Sequence, residues 1–308
     1  MNKLKKALYN ITRPYARMCL TYDLGKVVED DEKITCYIKK SKIIKKDRDC
    51  IIFCFGIGEN EKRKKFAKAF NLDKRICYVI DGIDLRKYQV YIFGHDNCEV
   101  IIRNCNLGLG SSICVDGKCT LDNTNIITLS SLSISAKDLV IKNMNRDQIK
   151  SFVSSSSICF GADNRIDVID SNIGNQNEDV TISLVSTNEL NIINSKIDGK
   201  IVNCKSSTIN TDEKSSLTAT DRINLQTDEL SKIKMETPTV VLNGKEMINK
   251  NKKVVLEKVT EPLELKRIEL INLLKKIKNK CEIINSKRVL QYQEELDIQP
   301  ISKVLKNK

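Results

Sequence analysis

The chain has 308 residues, 41% hydrophobic, 30% charged and only 5% aromatic, with no tryptophan and a formal net charge of +12. That is ample chain for a buried core, and no apolar run is long enough to span a bilayer, so no transmembrane segment is expected. The charge is uneven. Residues 1–90 carry 22 basic against 12 acidic side chains, residues 91–244 carry 14 against 19, and residues 245–308 carry 16 against 9. An acidic middle between two basic ends points to an anionic surface, membrane or nucleic acid, as a partner of the ends.

Residues 1–75 read as a basic N-terminal α/β cap segment. Leu4, Leu8, Ile11, Tyr15 and Met18 share one face of a helix over residues 1–22, with Lys3, Lys5, Lys6, Arg13 and Arg17 around them. Pro14 interrupts that stripe. The helix packs on the protein or lies on an anionic surface. Short strands follow from Ile34 to Phe55, then a helix over Asn60–Phe70 that caps the open end of a β-stack. Gly56-x-Gly58 between them has no third glycine and no Gly-Lys-Ser/Thr, so a nucleotide site is not expected. The N-terminus also lacks the apolar stretch of a secretory signal, and a cytoplasmic location is expected.

Residues 76–249 read as a β-solenoid. Strands Ile76–Ile80 and Val90–Phe93 start the stack. From Val100 to Met247 one pattern then recurs: apolar, any, apolar, any, Asn/Asp/Ser/Thr, any, any, apolar. Its copies are VIIRNCNL (100–107), CTLDNTNI (119–126), LVIKNMNR (139–146), IDVIDSNI (166–173), LNIINSKI (190–197), VNCKSSTI (202–209), INLQTDEL (223–230) and VVLNGKEM (240–247). Of 24 positions required to be apolar, 23 are, and Arg146 is the exception. The fifth position is Asn104, Asn123, Asn143, Asp170, Asn194, Ser206, Thr227 and finally Gly244, nearly all residues that tolerate turns. The spacings of 19, 20, 27, 24, 12, 21 and 17 fit stacked coils with variable loops, except the 12. That step places copy 202–209 on a different face of the coil begun by copy 190–197. Further strands are expected at 113–115, 127–129 and 180–184. Seven or eight coils at about 4.8 Å each make a rod roughly 35 Å long.

Residues 250–308 read as a basic C-terminal helical segment. Leu263, Leu270, Leu274, Ile277, Cys281 and Ile284 fall on 3-4 spacing, with Arg267 in the same stripe, and a second helix is expected over Lys287–Leu296. Two uses are open to the first helix: packing on its own protein, or pairing with a second copy as a homo-oligomer.

Twelve cysteines in a chain without a secretory signal read as reduced thiols, with Cys119 and Cys204 at inward positions. Cys50/Cys54 and Cys114/Cys119 lack CxxC spacing and His95 is the sole histidine, so no metal and no cofactor is expected. A solenoid enzyme needs carboxylates clustered on the outside of adjacent coils. The outward position between the two apolar residues holds Ile101, Thr120, Val140, Asp167, Asn191, Asn203, Asn224 and Val241, a single carboxylate. Asp163, Asp167 and Asp170, with Arg165, are the candidate catalytic group. Ser154–Ser157 has no base placed to activate a serine, and His95 reads as a surface residue.

The repeat over residues 76–247 resembles the right-handed parallel β-helix (pectin-lyase-like) group. The resemblance implies a mainly β fold. Sugar-processing enzymes, adhesins and polymer-forming cytoskeletal proteins share it, and none of their catalytic motifs is matched. The Lys-, Ile- and Asn-heavy composition is similar to that of proteins from AT-rich bacteria. The expectation is a non-catalytic scaffold that associates through its ends. Carbohydrate processing near Asp163–Asp170 and anionic-surface binding are the alternatives.

Overall fold

A computed structural model describes residues 22–40, 50–56, 75–95, 98–128, 132–145, 148–151, 156–174, 179–248, 253–256 and 259–260. All lie in the first of two compact units, Met1–Thr260. The helices expected over 60–70, 263–284 and 287–296 fall outside the described residues. So does the one over 1–22, except that Tyr22 opens a strand.

The described chain is a parallel β-solenoid of about seven turns. Its first strands are β1 (Tyr22–Glu29), β2 (Lys33–Lys40), β3 (Cys50–Phe55), β4 (Arg75–Asp81), β5 (Asp84–Gly94) and β6 (Glu99–Arg103). Then come β7 (Asn106–Asp122), β8 (Asn125–Thr128), β9 (Leu132–Lys142), β10 (Ile149–Ser151), β11 (Ser156–Ile169) and β12 (Asn172–Gly174). β13 (Val180–Ser186), β14 (Glu189–Ile193), β15 (Lys196–Lys205), β16 (Thr208–Thr211) and β17 (Ser216–Gln226) follow. The last are β18 (Glu229–Leu230), β19 (Ile233–Glu236), β20 (Thr239–Leu242), β21 (Lys245–Ile248), β22 (Lys253–Leu256) and β23 (Val259–Thr260).

Each coil has three sides. Face A stacks β2, β4, β6, the ends of β7, β9 and β11, then β14, β16 and β18, all parallel. Face B holds the starts of β5 and β7 with β8 and β10, and further on β12, the starts of β15 and β17, and β19. Face C runs from β3 through parts of β5, β7, β9 and β11 to β13, β15, β17 and β20. The stack therefore begins with β2 and β3, one coil before the expected first strands.

The inward repeat positions make the core. From Val100 to Val240, 21 of them are at most 2% exposed. The first coils are wider and hold aromatics: Phe55 stacks on Tyr78 at 4.4 Å, and the Tyr78 hydroxyl accepts the Gly56 N–H at 3.2 Å. Arg146 breaks the pattern because the corner of that coil is longer. Ile149 takes the backbone position opposite Ile126 instead. The 12-residue spacing is also explained. Val202, Ile223 and Val240 stack on face C, so copies 202–209, 223–230 and 240–247 all start there rather than on face A.

The corner between faces A and B depends on left-handed backbone. Gly82, Asn104, Asn123, Asn143, Asp170 and Asn194 have φ of 66, 52, 46, 55, 48 and 47° in successive coils. Asparagine and aspartate are the side chains that accept this conformation most readily. The turned N–H groups still reach the next coil: Asn104 N donates to Asp122 O at 3.0 Å, and Asp170 N to Ile193 O at 3.0 Å. The following residue is buried in each of these coils: Ile83, Cys105, Thr124, Met144, Ser171 and Ser195, and Ser215 occupies the same corner one coil further on. The Ser195 hydroxyl donates to Ile193 O at 2.7 Å and accepts the Ser171 N–H at 3.0 Å. Ser215 repeats this one coil on, donating to Ile192 O and accepting from Ser195 N. Each hydroxyl thus ties two coils. Gly174 is required where coils close up, since a Cβ there would lie 1.8 Å from Asp198 O at a φ of 91°.

Both ends depart from the parallel pattern. β1 pairs antiparallel with β2, with a register shift between Leu24 and Val27. At the other end β21, β22 and β23 pair antiparallel with β20, β19 and β18. The eighth repeat copy is therefore a hairpin: Asn243 and Gly244, φ 50 and 82°, form its two-residue turn, as expected of Asn-Gly. No helix among the described residues is long and apolar enough to cross a membrane.

Replacing Asn194 by Ala puts a side chain that disfavours left-handed backbone at a φ of 47° and removes the 2.6 Å bond to Asp170 Oδ1. The expected cost is about 2 kcal/mol, against about 1 for Asn194→Gly, read from urea unfolding midpoints.

Candidate functional site

The outer side of face A is where the candidate residues lie. Asp163, Asp167 and Asp170 all belong to one coil, but the strand spreads them out. Asp163 is exposed at the corner between faces C and A, Asp167 is in mid-strand, and Asp170 is the left-handed corner residue at the far end. Six residues lie between Asp163 and Asp170, and the strand from Arg165 to Ile169 holds the two apart by up to roughly 23 Å. The structure does not bring these three together.

Each is held locally. Asp167 Oδ1 accepts Arg165 Nε at 2.7 Å and Asn191 Nδ2 at 2.8 Å, and Asn210 Nδ2 continues the column to Asn191 Oδ1 at 2.8 Å. Asp170 Oδ1 accepts Asn194 Nδ2. Above and below Asp167 lie Val140 and Asn191, so no second carboxylate shares its register.

One residue along the strand, the chemistry changes. Arg165 stands between Asp138 and Glu189 of the adjacent coils, with Nη1 3.5 Å from Glu189 Oε2. The residue before the first apolar position of the first five copies reads Glu99, Lys118, Asp138, Arg165, Glu189, alternating in sign from coil to coil. At the other end of the same strands Asp81, Arg103, Asp122 and Lys142 alternate too. Arg103 Nη2 lies 2.7 Å from Asp81 Oδ2, and Lys142 Nζ 3.1 Å from Asp122 Oδ2. Burial works to raise the Asp81 carboxyl, but hydrogen bonds from Arg103 and Asn104 outweigh it and hold the group below the ordinary carboxylate range. The sequence carried this signal, at the positions flanking the apolar pair rather than between them. Chemically, a carboxylate beside a fixed cation stays ionised and hydrogen-bonded. Such a group stabilises neighbouring strands but is poorly suited to proton transfer.

The remaining candidates are also accounted for. His95 Nδ1 lies 3.5 Å from Asp116 Oδ2. Gly56 packs on the carbonyl of His95, where a Cβ would come within 2.4 Å. Ser156 and Ser157 are strand residues paired with Val180 and Thr181, and Ser154 lies outside the described residues. Cys114 faces out and Cys119 faces in, so this pair cannot share a ligand, and no cluster of metal-binding side chains occurs among the described residues.

Burial pushes the Cys36, Cys77, Cys119 and Cys204 thiols up to about 12, and Cys105 to about 11. Among these and Cys114, only Cys114 is expected to be alkylated in the native protein at pH 8, as read by peptide mass mapping. The neutral thiol is the form the fold favours. Its stabilising effect is complete below the ordinary value of 9.0 and is lost as pH rises from there toward 12. The urea midpoint is therefore expected to fall between pH 9 and 11. Asp167→Ala, which frees both Arg165 and Asn191, is expected to cost about 1 kcal/mol, since Arg165 is half exposed.

Compared with protein-family models, curated proteins and solved structures, the chain matches none.

Proposed function

We propose that this protein is a non-catalytic structural scaffold, a short stiff β-solenoid that associates through its ends. One observation carries the reading: the outward polar side chains are engaged with one another along the stack. Asn123 bonds Asn104, Asn194 bonds Asp170, Asn210 bonds Asn191, and Asn224 bonds Asn203, which in turn bonds Ser183. With the alternating charges of face A, these columns favour coil-to-coil cohesion over a polar site aimed at a ligand. The basic segment from residue 261, with its apolar stripe, is the natural means of association.

Light scattering on the full chain is expected to give a mass above that of one copy, falling to a single copy when residues 261–308 are removed. A strict monomer in both forms at high concentration would overturn the scaffold reading. So would glycan turnover that Asp167→Asn abolishes.

A further inference from the structure

The last coil ends in three short parallel strands, and β21, β22 and β23 cover them one for one. β21 meets all of β20, from Leu242 opposite Lys245 to Thr239 opposite Ile248. β22 meets all of β19, from Ile233 opposite Leu256 to Glu236 opposite Lys253. β23 meets both residues of β18. The cover is residue for residue, yet it consists of separate pieces of four, four and two residues. Its grip is slight: Leu256 is only partly buried against the core, and Val255 is 50% exposed. Short, charged edge strands are how β-proteins prevent edge-to-edge pairing.

The direction of the cover is informative. Every strand of it runs antiparallel to a stack that is otherwise parallel from β4 onward. A twofold axis perpendicular to the stack reverses the sense of winding. Two copies meeting end to end across such an axis would therefore present antiparallel strands to each other on every face, the geometry that β21–β23 now supply. Contact of this kind is isologous and closes at two copies.

We propose that β21, β22 and β23 form a releasable strap over this end of the stack, and that its release lets the end bind the same end of a second copy. The strap keeps the stack end out of any assembly until it opens. The inference deepens the scaffold reading and rests on it for its biological use, but the mass change it predicts is measured relative to the wild-type chain, whatever that chain's own state.

The test uses the full chain. Leu256→Asp places a charge where β22 packs on the core, and light scattering is expected to show at least twice the wild-type mass. Lys234 and Val255 are opposed and both exposed, so Lys234→Cys/Val255→Cys in a Cys114→Ser background can tether the strap. Combined with Leu256→Asp, the oxidised tether is expected to return the mass to the wild-type value, and reduction to raise it again. An unchanged mass in a folded Leu256→Asp protein would overturn the proposal, as would an increase that persists with the tether closed. If Leu256→Asp loses its cooperative melt, the tether pair alone decides. In sub-denaturing urea the reduced form is expected at least to double in mass and the oxidised form not to, and equal behaviour of the two would refute the strap.

Discussion

A parallel stack has to turn its chain at every corner without giving up the hydrogen bonds that join one coil to the next. The rest of this structure depends on how that is met between faces A and B. In six successive coils one residue adopts left-handed backbone there, and its N–H is turned along the stack to the coil that follows. The next residue is buried in the core, and in four of those coils it carries a hydroxyl or a thiol: Cys105, Thr124, Ser171 and Ser195. Its own polar group would be costly in an apolar interior if it lacked partners. In the later coils, Ser171, Ser195 and Ser215 find them in carbonyls of the strands and in N–H groups of the neighbouring coil. The bend and the buried polar group thus solve each other's problem. Where the left-handed residue is absent, at Asp212–Ser215, the Asp212 carboxylate takes over and accepts the Asn194 N–H at 2.9 Å, and where the hydroxyl is absent the Met144 sulfur accepts the Thr124 N–H.

Packing follows from that geometry. The first five copies enter face A in the same phase, so their apolar pairs stack on one another from coil to coil, and the last three copies do the same on face C. Narrow aliphatic and thiol side chains are enough to fill a core only one coil wide. Stability in such a stack is close to a sum of neighbour terms, so the ends are its weak points. Both are closed here by strands of reversed direction, a bulged one at the start and three short ones at the finish.

Much of this was legible in the sequence, for a physical reason. Burial fixes the apolar pair and left-handed backbone fixes the asparagine, so both are written into every coil. Five of the eight fifth-position residues, Asn104, Asn123, Asn143, Asp170 and Asn194, are left-handed in the structure. Ser206 and Thr227 matched the same pattern but sit at another corner, because a strand, a bend and an inward residue occur on face C as well. Asn243–Gly244 matched too, although the dipeptide is itself a hairpin signal. The outer surface was harder to read. Asp167 bonds Asn191, 24 residues away, and which residues face each other depends on loop lengths that no local pattern records. The alternating charges lie just outside the apolar pair, so a pattern anchored on the outward residue between the two apolar positions does not contain them.

That alternation sets a parity rule for the length of the solenoid. Arg103 faces Asp122, and Asp122 faces Lys142; in the other column Lys118 faces Asp138, and Asp138 faces Arg165. Deleting the single coil from Cys119 to Asp138 would set Arg103 against Lys142 and Lys118 against Arg165. Duplicating that coil would set aspartate against aspartate in both columns. Adding or removing coils in pairs keeps every neighbour opposite in sign. A stack marked in this way changes length most easily in steps of two, and a recombination that slips by one coil is penalised at once along both edges of face A.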